Sequence, residues 1–203
     1  LPELQKVLKL GNLNYSGSTD SMFLSATNLE EIDLAGFDTS KISSMEYMFF
    51  GIKASTLDVS KFDTSNVTNM RGMFDGASNL TSLDLSNFDT SKVTDMSYLF
   101  VKLSKITQID VSSFNTSNVV SMAGMFDSVS NISSLDLSNF DTSKVTDMNY
   151  MFLGAEKLEH LDINNFNTAS VRSMESMFSR MKALEKLDLS SFTISENTDS
   201  QAM

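Results

Sequence analysis

The segment SLDLSNFDTSKVTDMSYLF, Ser82 to Phe100, returns as SLDLSNFDTSKVTDMNYMF from Ser134 to Phe152, with Asn149 and Met151 in place of Ser97 and Leu99. A catalytic centre needs one arrangement of unlike groups, whereas near-verbatim repetition reuses one packing solution. The repeat therefore constrains shape before chemistry. Aligning on its Leu-Asp-Leu core places equivalent aspartates at Asp33, Asp58, Asp84, Asp110, Asp136, Asp162 and Asp188, spaced by 25 and then 26 residues. A constant period in this range is the signature of a solenoid, in which each coil buries its apolar side only by stacking on its neighbours.

The period explains an unusual composition. Of 15 Phe, all but Phe50 fall on two ladders. One follows the aspartates by four residues (Phe37 through Phe192), and the other closes each repeat (Phe23, Phe49, Phe74, Phe100, Phe126, Phe152 and Phe178). Two methionine ladders account for most of the 14 Met, one running from Met45 to Met174 and one from Met48 to Met177 with Leu99 substituting once. Such regularity reads as core, with the flexible thioether filling gaps between coils.

Within one coil, Leu83 and Leu85 point inward from a short strand while Ser82, Asp84 and Ser86 point out. Asp89-Thr90-Ser91 supplies turn and cap chemistry. The ladder Thr39, Thr64, Thr90, Thr116, Thr142, Thr168 belongs to these turns. Val93, Met96, Leu99 and Phe100 recur at the spacing of one helical face. Leu80, Leu83 and Leu85 follow the L-x-x-L-x-L frame of leucine-rich repeats, with Phe88 where that frame often has Asn, so the expected fold is an α/β repeat, a leucine-rich-repeat-like right-handed solenoid with one short parallel strand and one short helix per 26-residue coil. Tyr47, Tyr98 and Tyr150 interleave with Gly72 and Gly124, which predicts each Tyr ring lying over the Gly of an adjoining coil and a true period of two coils.

The ends bound the array. Residues 1–28 read as an N-terminal cap with a degraded coil, in which Lys9 takes the Asp position, Leu13 the Phe position and Phe23 closes the return. Residues 29–194 read as seven coils, the last incomplete, and 195–203 as a frayed polar tail or the start of a linker. The chain opens on Leu1 with no signal segment ahead of it, which is expected of a piece of a longer protein.

At LDLSNFDTSKVTDMSYLF, where Phe-Asp/Asn-Thr-Ser-x-Val and Met-x-x-Met-Phe recur at fixed offsets, the chain resembles the BspA-like leucine-rich-repeat bacterial surface proteins over roughly Leu29 to Phe192. The resemblance implies a non-enzymatic repeat domain, extracellular on a bacterial surface or secreted. Its expected role is adhesion to a host or neighbouring-cell protein or glycan, with a spacer that lifts another domain as the alternative. It implies no catalytic residues and no cofactor.

Charge narrows the partners. A net charge of −11 disfavours nucleic acid, whose phosphates demand a basic surface. No run of about 18 apolar residues is present to insert in a membrane. With no cysteine and a single histidine, neither a thiolate metal site nor a nucleophile–base pair is expected. The sharpest polar feature is the Asp row, here Asp84, Asp110, Asp136 and Asp162. Like charges stacked on one face repel, and serine hydroxyls two residues on, counterions and Lys9 are expected to relieve them. A single-file row converges too few oxygens for calcium, so no metal is expected. Beside the row, two residues earlier, the coils differ: Glu31, Gln108, His160 and Lys186 are the coil-specific groups that a partner would read.

Overall fold

The computed structural model describes residues 7–13, 15–24, 26, 28–196 and 198–203, with the side chains of residues 7 and 8 excepted. Residues 1–6 of the expected cap and Asn197 of the expected tail lie outside the described residues. Strand β1 (Val7–Lys9) pairs in parallel with β3 (Glu31–Asp33), putting Lys9 in register with Asp33 as the alignment of the degraded coil expected. Strand β2 (Gly17–Ser18) pairs with β4 (Ile42–Ser44). From there single parallel bridges climb the stack, Ser44 to Asn69, Asp95, Ser121, Asp147, Ser173 and Asp199, one rung per coil.

The expected helix and strand of each coil are both corrected. Among the described residues there is no α-helix, and so none long and apolar enough to cross a membrane. The return segment is a chain of tight turns. In one coil the N–H groups of Met96, Tyr98, Phe100 and Lys102 donate to Ser121 O, Ala123 O, Met125 O and Asp127 O of the next coil, at 2.7–3.0 Å. The intervening N–H groups of Leu99, Val101 and Leu103 donate three residues back, to Met96 O, Tyr98 O and Phe100 O. This alternation requires the left-handed backbone at two positions per return, φ 60° at Tyr98 and 57° at Lys102. A right-handed helix cannot contain such residues. The apolar spacing of three and four is that of inward corners in consecutive turns.

The strand segment is corrected in the opposite sense. Exposure alternates as expected, with Asp84 out and Leu85 in, but regular pairing stops after β3 and only Ser134 and His160 bridge further along. The cause is local. Asp84 Oδ1 accepts the Ser86 N–H at 3.0 Å, and the same bond recurs from Asp33, Asp58, Asp110, Asp136, Asp162 and Asp188 to the residue two ahead. Side-chain bonds of this kind compete with a ladder. Asparagine staples join the coils there instead: Asn87 Nδ2 donates to Ser60 O, Asn139 to Phe114 O and Asn165 to Phe140 O, each at 2.9 Å.

Between the two sides lies a continuous core. Phe23, Phe49, Phe74, Phe100, Phe126, Phe152 and Phe178 stack face to face with centroids 5.4–6.2 Å apart. The Thr ladder is buried and bolts coil to coil. Thr116 Oγ1 donates to Asp141 O at 3.0 Å and accepts the Asp141 N–H at 2.8 Å, and each Thr of the series makes the same pair. One buried hydroxyl thus has both a donor and an acceptor partner in the backbone of a single corner residue of the next coil, which is why Thr recurs at a buried position. Within 195–203, the Met174 N–H donates to Asp199 O and the Ser176 N–H to Gln201 O, so this segment continues the return rungs, and Met203 packs against the core.

Candidate functional site

The strand side carries the residues expected to read a partner. Asp84, Asp110, Asp136 and Asp162 are exposed in one row, each with Oδ1 engaged in its own turn. The Ser86 hydroxyl, followed by the Ser86 N–H, holds Asp84 below the usual carboxylate range, and Ser112 does the same for Asp110. At Asp136 the Ser138 N–H leads and the hydroxyl follows. Neighbouring Asp58 and Asp110 oppose this at Asp84, less strongly. Serine two residues on therefore favours the ionised form at these three aspartates, and Lys9 Nζ lies 3.8 Å from Asp33 Oδ2 at the N-terminal end, an exposed pair worth little by itself. The aspartates are first of all turn formers.

Of the coil-specific groups, Glu31 on β3 and Gln108 are exposed and stand apart. His160 and Lys186 come together. With Asp162 and Asp188 they rim a recess of about 250 Å³ floored by Leu161 and Ile163. One coil earlier, Asp136 and Asp162 border a second recess of about 260 Å³ with Asn164 and Asn165. The arrangement alternates carboxylates with one imidazole and one ammonium over an apolar floor. It can bind, but among the described residues no group of three His, Asp or Glu could hold a metal ion.

The return side holds contacts of Arg71 that reading along the chain missed, beside the Tyr and Gly packing that it expected. Arg71 spans three coils, its Nε donating to the Tyr47 hydroxyl at 3.2 Å, its Nη1 3.8 Å from Asp95 Oδ2 and its guanidinium carbon 4.9 Å from the centroid of the Tyr98 ring. Tyr47 covers Gly72 and Tyr98 covers Gly124, as the alternation predicted, whereas the residue in the equivalent place after Tyr150 is Ser176 and not glycine. The two-coil period also appears in polar pairs, Lys92 Nζ to Asn66 Oδ1 and Lys144 Nζ to Asn118 Oδ1, both at 2.7 Å. The signal was present in the sequence as Lys and Asn alternating at one repeat position.

Asp75 is the most perturbed acid. It is half-buried at the position that Phe50 and Val101 occupy in the adjoining coils, and burial pushes its pKa up to about 6, with Lys102 opposing and Asp127 adding. Burial also raises Asp127, against the Ser128 hydroxyl that lowers it. A carboxyl whose folded pKa lies above its unfolded value contributes stability that is complete below about pH 3.8 and is lost as pH rises through about 6. Asp75→Asn is expected to raise the thermal midpoint at pH 7.5 and to flatten its fall between pH 4 and pH 6. Thermal unfolding across that range checks it, and parallel pH profiles for both proteins would refute the assignment.

The family described as "Mycoplasma protein of unknown function, DUF285" matches residues 17–134 and again 102–203. No curated protein and no solved structure matches the chain.

Proposed function

We propose that this chain, which belongs to the DUF285 family, is a non-enzymatic recognition module of a bacterial surface or secreted protein, adhering to a protein or glycan of a host or neighbouring cell through its strand side. The observation that carries the reading is the recess where His160 and Lys186 meet Asp162 and Asp188, because coil-specific groups converge there on an otherwise repetitive face. The resemblance to BspA-like surface repeats supports the location and the adhesive role. A uniform acidic row speeds encounter with a basic partner and is screened by salt, while the coil-specific groups govern residence. A spacer is the second reading, favoured by the uninterrupted Phe stack and Thr bolts, which stiffen the stack with no ligand.

Replacing Asp110, Asp136 and Asp162 with Asn separates charge from folding. Asn115 and Asn167 already make the equivalent turn bond in the neighbouring row, to the N–H of Ser117 and Ala169. The triple variant should therefore fold, associate more slowly with immobilised matrix proteins or glycans, and lose salt dependence. Changes at His160 and Lys186 should mainly accelerate dissociation. Capture unaffected by either set would move the site off the strand side, and no capture from any panel would favour the spacer.

A further inference from the structure

We infer that a groove on the return side, away from the strand-side recess, binds an acidic oligosaccharide through Lys102 and Arg180. The groove is about 400 Å³, within the roughly 300–1,000 Å³ of small-ligand sites. It runs along the stack with Lys102 toward one end and Arg180 toward the other, lined by Ser104, Ser128, Ser130 and Gly154. Its remaining acid, Glu156, is paired with Lys182 Nζ at 2.8 Å, and among the described residues neither Lys102 nor Arg180 closes an ion pair. Half-buried Asp127 faces both cations and Asp75 faces Lys102, so the lining itself offers two cations against one paired acid, with two further carboxylates close by.

Backbone geometry singles out the same residues. The second left-handed position of the return is held by Gly51, Gly76, Lys102, Ser128, Gly154 and Arg180, all with φ between 57° and 71°. Glycine adopts that region freely and other residues do so at a cost. All three non-glycine holders, Lys102, Ser128 and Arg180, line the groove. The turn chain imposes the left-handed region at this position whether or not a ligand binds, so a lysine and an arginine are held there where glycine would sit with less strain. The chemistry selects the ligand class. A guanidinium fork and an ammonium three coils apart, about 14 Å at the spacing of stacked strands, match separated carboxylates or sulfates. The serine hydroxyls between them donate to and accept from sugar hydroxyls. Leu153 is the one large apolar side chain in the lining, which leaves little for the side chains of a peptide.

Because glycine holds this position in other coils, Lys102→Gly and Arg180→Gly remove the cations without asking the backbone to move. Titration by calorimetry would use three probes of matched length: hyaluronan-derived oligosaccharides bearing only carboxylates, heparin-derived ones bearing sulfates as well, and neutral cello-oligosaccharides. The expected result is binding of one or both acidic probes and not the neutral one, weakened about tenfold or more by each glycine variant, with thermal midpoints equal to or above wild type. The Asp110/Asp136/Asp162→Asn protein should bind these probes unchanged, which separates this site from the strand-side reading. No binding of either acidic probe, binding indifferent to both variants, or midpoints lowered by the glycine substitutions would overturn the inference. So would preferential binding of a poly-glutamate peptide of matched charge.

Discussion

Phe126→Ala should lower the stability of the stack by about 3–5 kcal/mol, the cost of truncating a large aromatic in a core that cannot collapse around the hole. Phe126 is fully buried and lies between Phe100 at 5.6 Å and Phe152 at 5.8 Å. One truncation thus removes both faces of a stacked ring. Because stability in a stacked array is a sum of coil and nearest-neighbour terms, the loss falls at mid-array and should also broaden the transition as the two halves unfold less cooperatively. Urea titration followed by circular dichroism measures both effects. Ser112→Ala, an exposed site whose N–H still bonds Asp110 Oδ1, should shift the midpoint little. Equal midpoints for the two variants would mean that the Phe stack is not the core.

Gly124→Leu should cost about 2–5 kcal/mol by two separable routes. The backbone there has φ +59°, which disfavours a branched side chain by about 1–2 kcal/mol. An added Cβ would also lie 2.6 Å from Tyr98 Cδ1, and overpacking of this kind costs about 1–3 kcal/mol. Removing the ring should recover the second part and leave the first. The Tyr98→Ala/Gly124→Leu double variant should therefore be more stable than the sum of the single effects allows, a coupling read directly from a double-mutant cycle. Strict additivity would show that the ring and the glycine do not share a space.

Tyr98 over Gly124 was legible from the sequence because a large residue alternating with the smallest one states a packing relation between adjoining coils without any knowledge of the backbone. The Asp row was legible in the same way, since a carboxylate repeated seven times with serine usually two residues on announces its own relief. Val93, Met96, Leu99 and Phe100 misled because spacings of three and four fit both a helical face and the inward corners of successive turns. Gly72 and Gly124, inside the supposed helix, were the available warning, since glycine disfavours a helix interior by about 1 kcal/mol. Thr116 gave no sign of burial, because its partner peptide at Asp141 is 25 residues away. The groove was equally hidden, for Lys102 and Arg180 share it only because three coil advances bring them along one line.

What the sequence determined by itself was the period, the composition of the core and the side of each coil that faces water, all of which follow from which residues recur at which offset. The tertiary structure alone decided the path of the backbone within the period. A return segment satisfies its N–H groups either inside itself, as a helix, or alternately with the next coil, as here at Met96, Tyr98, Phe100 and Lys102. Both choices bury Met96 and Phe100, so hydrophobic pattern cannot separate them. The choice is settled by hydrogen bonds to a neighbouring coil, which exist only once the coils are stacked.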